Sequence, residues 1–226
     1  MKIAISDWQI DTDDKGILWL TLDKQNTETN VLSASVLDQL SALIDQIIEE
    51  KPTAVIIRSG KKSGFIAGAD VKEFLDVTNK QEALIMIKRG QKVLTRLESL
   101  SCPTVALIEG FCMGGGTELA LACDYRVALD DASTKIGLPE VKLGIHPAFG
   151  GLVRSTAIIN PLKSLEMMLS GRALSVRQAK SIGLVDLVQP HRLIKRAAQQ
   201  IALKKPAKRT LPWPAKVLSL PGIRNL

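Results

Sequence analysis

The chain has 226 residues, 46% hydrophobic and 23% charged, enough apolar material for one domain with a substantial core. No segment approaches the roughly 20 consecutive apolar residues of a membrane-spanning helix, and the charged start from Met1 to Asp14 lacks the apolar centre of a secretion signal, so a cytoplasmic protein is expected. A net charge of +7 could serve nucleic acid, a membrane surface or a small anion, but the scarcity of aromatics argues against a stacking platform for single-stranded nucleic acid, and two histidines leave little for a zinc site.

The chain opens on a predicted β-hairpin, Trp8 to Asp13 and Ile17 to Asp23, with Gly16 in the turn. Ser33 can cap the helix that follows, in which Val36, Leu37, Leu40, Leu43, Ile44, Ile47 and Ile48 share one face. A buried strand, Ala54 to Ser59, comes next. The alternation then repeats: helix Lys80 to Leu100, strand Thr104 to Glu109, helix Glu118 to Cys123 and strand Tyr125 to Leu129. Helices are predicted around Val153 to Ile159, Pro161 to Ser170, Ser175 to Ile182 and Leu193 to Leu203, with a short strand at Val185 to Gln189. This is an α/β pattern with a helical C-terminal region. Residues 1–203 are expected to form the domain. Residues 204–226, broken by Pro206, Pro212, Pro214 and Pro221, read as a proline-rich basic linker or tail. Much of the basic excess sits late, from Arg192 to Arg209, and reads as a solvated helix face. Cys102, Cys112 and Cys123, odd in number and without CxxC spacing, read as core residues.

Three segments could carry chemistry. In Glu109 to Glu118 (EGFCMGGGTE), a buried strand runs through three glycines into a helix, where unpaired N–H groups and the positive dipole end suit an anion or oxyanion; close packing would also explain the glycines. The run lacks the GK[ST] ending of a nucleotide loop and the G-x-G-x-x-G spacing of a dinucleotide fold. Gly60 to Asp70 (GKKSGFIAGAD) also joins a strand to a helix. Its small residues could present a second main-chain N–H, and Lys61 and Lys62 could meet phosphates, although a plain connecting loop reads the same way. In Ile136 to Gly151 (IGLPEVKLGIHPAFGG), Glu140 stands where it could converge on Glu118, and two carboxylates in one dry pocket would separate into acid and base. His146 can be read as a base or as a structural residue.

Together, in this order and spacing, the three segments resemble the crotonase superfamily, the enoyl-CoA hydratase/isomerase family, with support from Asn30 to Ser33, Ser170 to Arg172 and Ala179 to Asp186. The resemblance spans residues 8 to 203. It implies the crotonase fold, a spiral of ββα units with two roughly perpendicular sheets, commonly in trimer-based homo-oligomers. It implies an acyl-CoA substrate, no separate cofactor, and an oxyanion hole made by the N–H groups of Ala69 and Gly115. Ala67, Gly68, Asp70 and Gly114 would contact substrate, with Lys61 and Lys62 beside its phosphates. Glu118 and Glu140 would be the catalytic pair of a hydratase. By the same resemblance, Glu118 activates water for attack at C3 and Glu140 supplies the proton at C2. Asp23 to Ser33 and the two glycine-rich runs look most like the N-terminal hydratase domain of multifunctional fatty-acid oxidation α subunits. The chain would then be part of a longer protein carrying a 3-hydroxyacyl-CoA dehydrogenase. Δ3-Δ2 isomerisation, thioester hydrolysis or decarboxylation, and acyl-CoA binding without turnover are the alternatives. Ala148 stands where the family commonly has glycine, so a positive φ there would be strained.

Overall fold

The computed structural model describes residues 5–75 and 77–208. Pro212, Pro214 and Pro221 of the expected tail, together with Arg209, lie outside these residues. The hairpin forms as expected from β1 (Trp8–Thr12) and β2 (Ile17–Leu22), and Ser33 caps α1 (Ala34–Glu50) by accepting from the Val36 N–H. Ile48 leaves the predicted apolar face and is exposed, whereas Gln39 is buried because its amide bonds Asp7 and accepts from the Ser6 and Asp7 N–H groups.

From there each turn of the chain adds a strand to a large sheet, a strand to a small sheet, and one or more helices. The first turn is β3 (Ala54–Ser59), β4 (Gly64–Ile66), α2 (Val71–Leu75) and α3 (Lys80–Glu98). The second is β5 (Thr104–Ile108), β6 (Phe111–Met113) and α4 (Gly115–Ala122). The third is β7 (Tyr125–Leu129), β8 (Lys135–Gly137), a 3₁₀ turn at Glu140–Leu143, α5 (Gly151–Ile158) and α6 (Pro161–Ser170). The chain returns through β9 (Leu174–Ser175), α7 (Val176–Ile182), β10 (Leu187–Gln189) and α8 (His191–Lys204). The large sheet runs β1-β2-β3-β5-β7-β10, parallel except for the hairpin, and the small one runs β4-β6-β8-β9. These are the ββα turns and two sheets that the resemblance implied.

Both faces of the inner strands β2, β3, β5 and β7 are buried, which is why they read as continuous apolar runs rather than alternating ones. Leu18, Leu20, Val55, Ile57, Ala106 and Ile108 face the main core with α1, α3 and α4. Their neighbours Ile17, Trp19, Ile56, Val105 and Val127 face α8, which contributes Ile194, Ala197, Ala198 and Ile201 at helical spacing. The basic residues Arg192, Lys195 and Arg196 fall on the other side of α8 and are exposed, as a solvated face requires. Cys112 and Cys123 are fully enclosed in the core and Cys102 is half-buried. Among the described residues no helix is long and apolar enough to cross a membrane.

Candidate functional site

Segment Asn30–Leu32 shapes the first half of the site. The buried Asn30 side chain donates to Leu22 O and Ser59 Oγ and accepts from the Lys24 N–H, which fixes it between the two central strands. Its backbone then clamps the loop after β4: Ala67 N–H donates to Asn30 O, Leu32 N–H to Gly68 O, and Asp70 N–H to Leu32 O. Because Gly68 O and Asp70 N–H face Leu32, the Ala69 N–H between them points the other way.

Facing it is the start of α4. The helix begins at Gly115, three residues earlier than predicted, so two of the three glycines form its first turn. The reason is space: a Cβ on Gly116 would stand 2.5 Å from Ile66 O, and one on Gly115 only 3.0 Å from Ala69 N. Close packing and site geometry are therefore one fact, since the contact that forbids a side chain also brings the Gly115 and Ala69 amides together. Neither N–H donates to an acceptor among the described residues, and the positive end of α4 adds to them. Gly114, at φ 51°, makes the turn that an L side chain would resist.

Glu118, one turn into α4, is 2% exposed and accepts a 2.7 Å hydrogen bond from the Gly151 N–H. Burial pushes its carboxyl up to about 7, the Gly151 bond opposes this, and the charge of nearby Glu140 adds to it. Glu140 opens the 3₁₀ turn, with Oε1 3.2 Å from where a Gly114 Cβ would be, and burial also raises its pKa. Its Oε2 is buried without a hydrogen-bond partner among the described residues, an acceptor left for a group from outside them.

A cavity of about 480 Å³ unites these groups: Ala67, Gly68, Ala69, Gly114, Gly115, Glu118 and Glu140 all line it. The remaining expected contacts are not brought there. Lys61 is held 2.7 Å from Asp23 and does not line the cavity, nor does the exposed Lys62. Asp70 faces a smaller neighbouring void, with its carboxylate 4.0 Å from Lys24 and accepting from the Lys72 N–H. Ala148 lines the cavity without a positive φ, so the expected strain is absent; the left-handed positions of this run are Gly144, at φ 72°, and Gly150, at φ 108°.

Sequence reasoning missed Gly151 and Arg154, which steady Glu118. Arg154 is buried; its Nη1 donates to Phe149 O, and its Nε and Nη2 donate to Glu98 Oε2 at 3.0 and 2.9 Å. The space under Gly150 admits that guanidinium, as a Cβ there would meet Nη1 at 2.2 Å. It also missed the apolar walls from Leu143, Ile145 and Phe149. Val71 and Phe74 of α2 and Ile87 of α3 line the cavity as well.

A family model described as enoyl-CoA hydratase/isomerase matches residues 12–210, and the chain belongs to that family. Among curated relatives it is 45% identical over 201 residues to a fatty acid oxidation complex subunit alpha from Aliivibrio fischeri, a match covering 88% of this chain and 29% of that protein. The chain thus spans under a third of that relative. Its fold matches the crystal structure of an enoyl-CoA hydratase from Bacillus anthracis with a TM-score of 0.80 and 34% identity, covering 88% of this chain and 76% of the other. An enoyl-CoA hydratase from Thermoplasma volcanium matches with a TM-score of 0.79 and 26% identity, over 88% and 78% of the two chains.

Proposed function

We propose that the chain hydrates 2-enoyl-CoA thioesters, and the observation that carries this is the pair of carboxylates sharing one cavity with two convergent amides. The thioester oxygen accepts from the Ala69 and Gly115 N–H groups, which stabilise the enolate charge formed as water adds; one such donor is typically worth on the order of 3 kcal/mol. Glu118 and Glu140 hold the water between them. Two buried, mutually repelling carboxylates favour a state in which one carries a proton near neutrality. Burial places the shared proton first on Glu118; once it has passed to Glu140, Glu118 takes a proton from water as oxygen bonds C3, and Glu140 delivers its proton to C2. Proton exchange with solvent resets the pair. Coenzyme A belongs to the substrate and no separate cofactor takes part.

Residues 1–203 form the catalytic domain in this reading, and 204–226 are a proline-rich basic linker or tail. The likeness to a fatty acid oxidation complex subunit alpha supports a place at the N-terminal end of a longer, cytoplasmic multifunctional protein. There the 3-hydroxyacyl product passes to a hydroxyacyl-CoA dehydrogenase. Isomerisation of Δ3 to Δ2 enoyl thioesters uses the same amide pair and one carboxylate, and is a side activity of this site. Mixing the chain with crotonyl-CoA and following the enoyl thioester absorbance tests the proposal. Loss of absorbance at a rate that depends on Glu118 is expected, and an unchanged signal would refute it.

A further inference from the structure

The reaction cavity does not end in solvent on every side. Beyond Phe149, Phe74 and Ala69 lies a second void of about 10 Å³, and these three residues line both spaces. The apolar residues Leu32, Leu37 and Met86 also line the smaller void. Of the two rings in this partition, Phe149 is the one tied to the catalytic carboxylate, because Gly151, two residues on, donates to Glu118.

The partition is held firmly. Ala148 O accepts from Gln91 Nε2 at 2.8 Å and Phe149 O from Arg154 Nη1 at 2.8 Å, so the backbone on both sides of the ring is fixed. The ring itself is 3% exposed and lies on Gly90 of α3, where a Cβ would come within 2.4 Å of Cδ1 and 2.5 Å of Cε1. A glycine inside a helix costs stability relative to alanine, and here the ring occupies the space that a methyl would need.

We infer that Phe149, seated on Gly90, is the wall that sets how long an acyl chain the cavity accepts. The inference rests on the acyl-CoA reading above and adds what decides among substrates of that class. A chain leaving the carbon beside Glu118 runs along Phe149. While the ring stays on Gly90 the chain turns away from the small void. Removing the ring joins the two spaces, and the chain then follows Leu32, Leu37 and Met86 rather than Asp70, Glu73 and Arg89, which also line the smaller void. Filling Gly90 drives the ring into the cavity.

The test is the ratio of kcat/KM for dodecenoyl-CoA to that for crotonyl-CoA, a ratio unaffected by how much of each variant is folded. Binding of dodecanoyl-CoA and butyryl-CoA is measured beside it. Phe149→Ala, and the milder Phe149→Leu, should raise both ratios, the former by about tenfold or more, since a single methylene in an apolar pocket is worth that much. Gly90→Ala should lower them. Ratios within about twofold of the starting chain in both Phe149 variants would overturn the inference, as would a rise with Gly90→Ala. If the chain turns over no enoyl thioester but the binding ratios move as stated, the hydratase reading falls and the wall stands. If it binds neither thioester, both fall.

Discussion

Glu118 and Glu140 face one cavity from supports of opposite kind. Every residue of α4 is buried, and Glu118 is held there by a backbone N–H from another loop. Glu140 begins a turn whose following residues, Val141 to His146, are exposed, and its Oε2 has no partner among the described residues. One carboxylate is thus built into the core and takes its high pKa from it. The other sits on a surface turn, backed by Gly114, with an acceptor to spare. The difference teaches that position and charge cost are concentrated at Glu118, while Glu140 keeps the freedom to meet water and substrate.

The largest effect should come from removing either carboxylate. Glu118→Gln and Glu140→Gln should each lower kcat for crotonyl-CoA by about two to four powers of ten, with KM little changed. The double variant should cost little more than the worse single one, because the two act as a unit. A wild-type rate in either single variant would break the pairing.

Stability should separate the two next. Glu118 has a folded pKa of about 7 against an ordinary 4.5, so the folded state binds its proton more tightly than the unfolded chain does. Its presence therefore costs nothing below about pH 4.5, costs progressively more as pH rises toward 7, and reaches a plateau of about 3 kcal/mol above that. Glu118→Gln should accordingly raise the denaturant midpoint at pH 8 and leave it nearly unchanged at pH 4.5. Glu140→Gln, at a half-buried site, should give a smaller gain. Equal gains at pH 8, read from urea melts, would remove the contrast between the two supports.

Arg154 sharpens the comparison from behind, as a positioning residue. Arg154→Met should free the loop that offers Gly151 N–H to Glu118 and should also remove a nearby positive charge. Activity should fall by about ten- to a hundredfold through misplacement. The acidic limb of the kcat/KM profile, which reports ionisation of Glu118, should move to higher pH. Besides Arg154, the charged group that bears on Glu118 is Glu140 on the turn. Glu98→Gln should reproduce part of the loss, and a fall in rate with an unmoved profile would reduce Arg154 to a purely structural part.

How much of this was legible in the sequence follows the same divide. The large sheet was readable from its continuous apolar runs, and the helices α1, α3, α6 and α8 because their apolar residues are numerous enough to show a period. The small sheet was not readable from the residues: β4, β6 and β8 have three residues each and β9 two, too few for alternation to appear. Only the resemblance implied that second sheet. Glu118 and Glu140 stood out because their segments are rich in glycine and carry carboxylates beside apolar neighbours, whereas the particular amides of Ala69 and Gly115 were named only through the resemblance. Arg154 and Phe149 look like ordinary residues of a helix and a loop. Their importance comes from contacts with Glu98 and Gly90, more than fifty positions away in the chain, and no local pattern encodes such a distance.

The smallest expected effect concerns the phosphates, where the sequence pointed to Lys61 and Lys62. Lys61 is already 2.7 Å from Asp23 and only partly exposed, so its charge is largely spent within the protein. Lys62 is exposed, and neither lines the cavity. If the two lysines still serve coenzyme A, they do so as a diffuse positive field over the entrance, and such a field is screened within about 10 Å at 0.1 M salt. Lys62→Ala should then weaken acyl-CoA binding by less than about tenfold at low ionic strength, and by nothing measurable at high salt. Lys61→Ala should act more weakly still unless Asp23 is changed with it, because removing the lysine alone exposes an acidic group that repels phosphate. Titrating both variants and the Asp23→Asn, Lys61→Ala pair with butyryl-CoA at two salt concentrations separates these cases. If no variant alters affinity at low salt, the phosphates are held elsewhere, and Lys24, 4.0 Å from Asp70 beside the clamped loop, becomes the residue to change next.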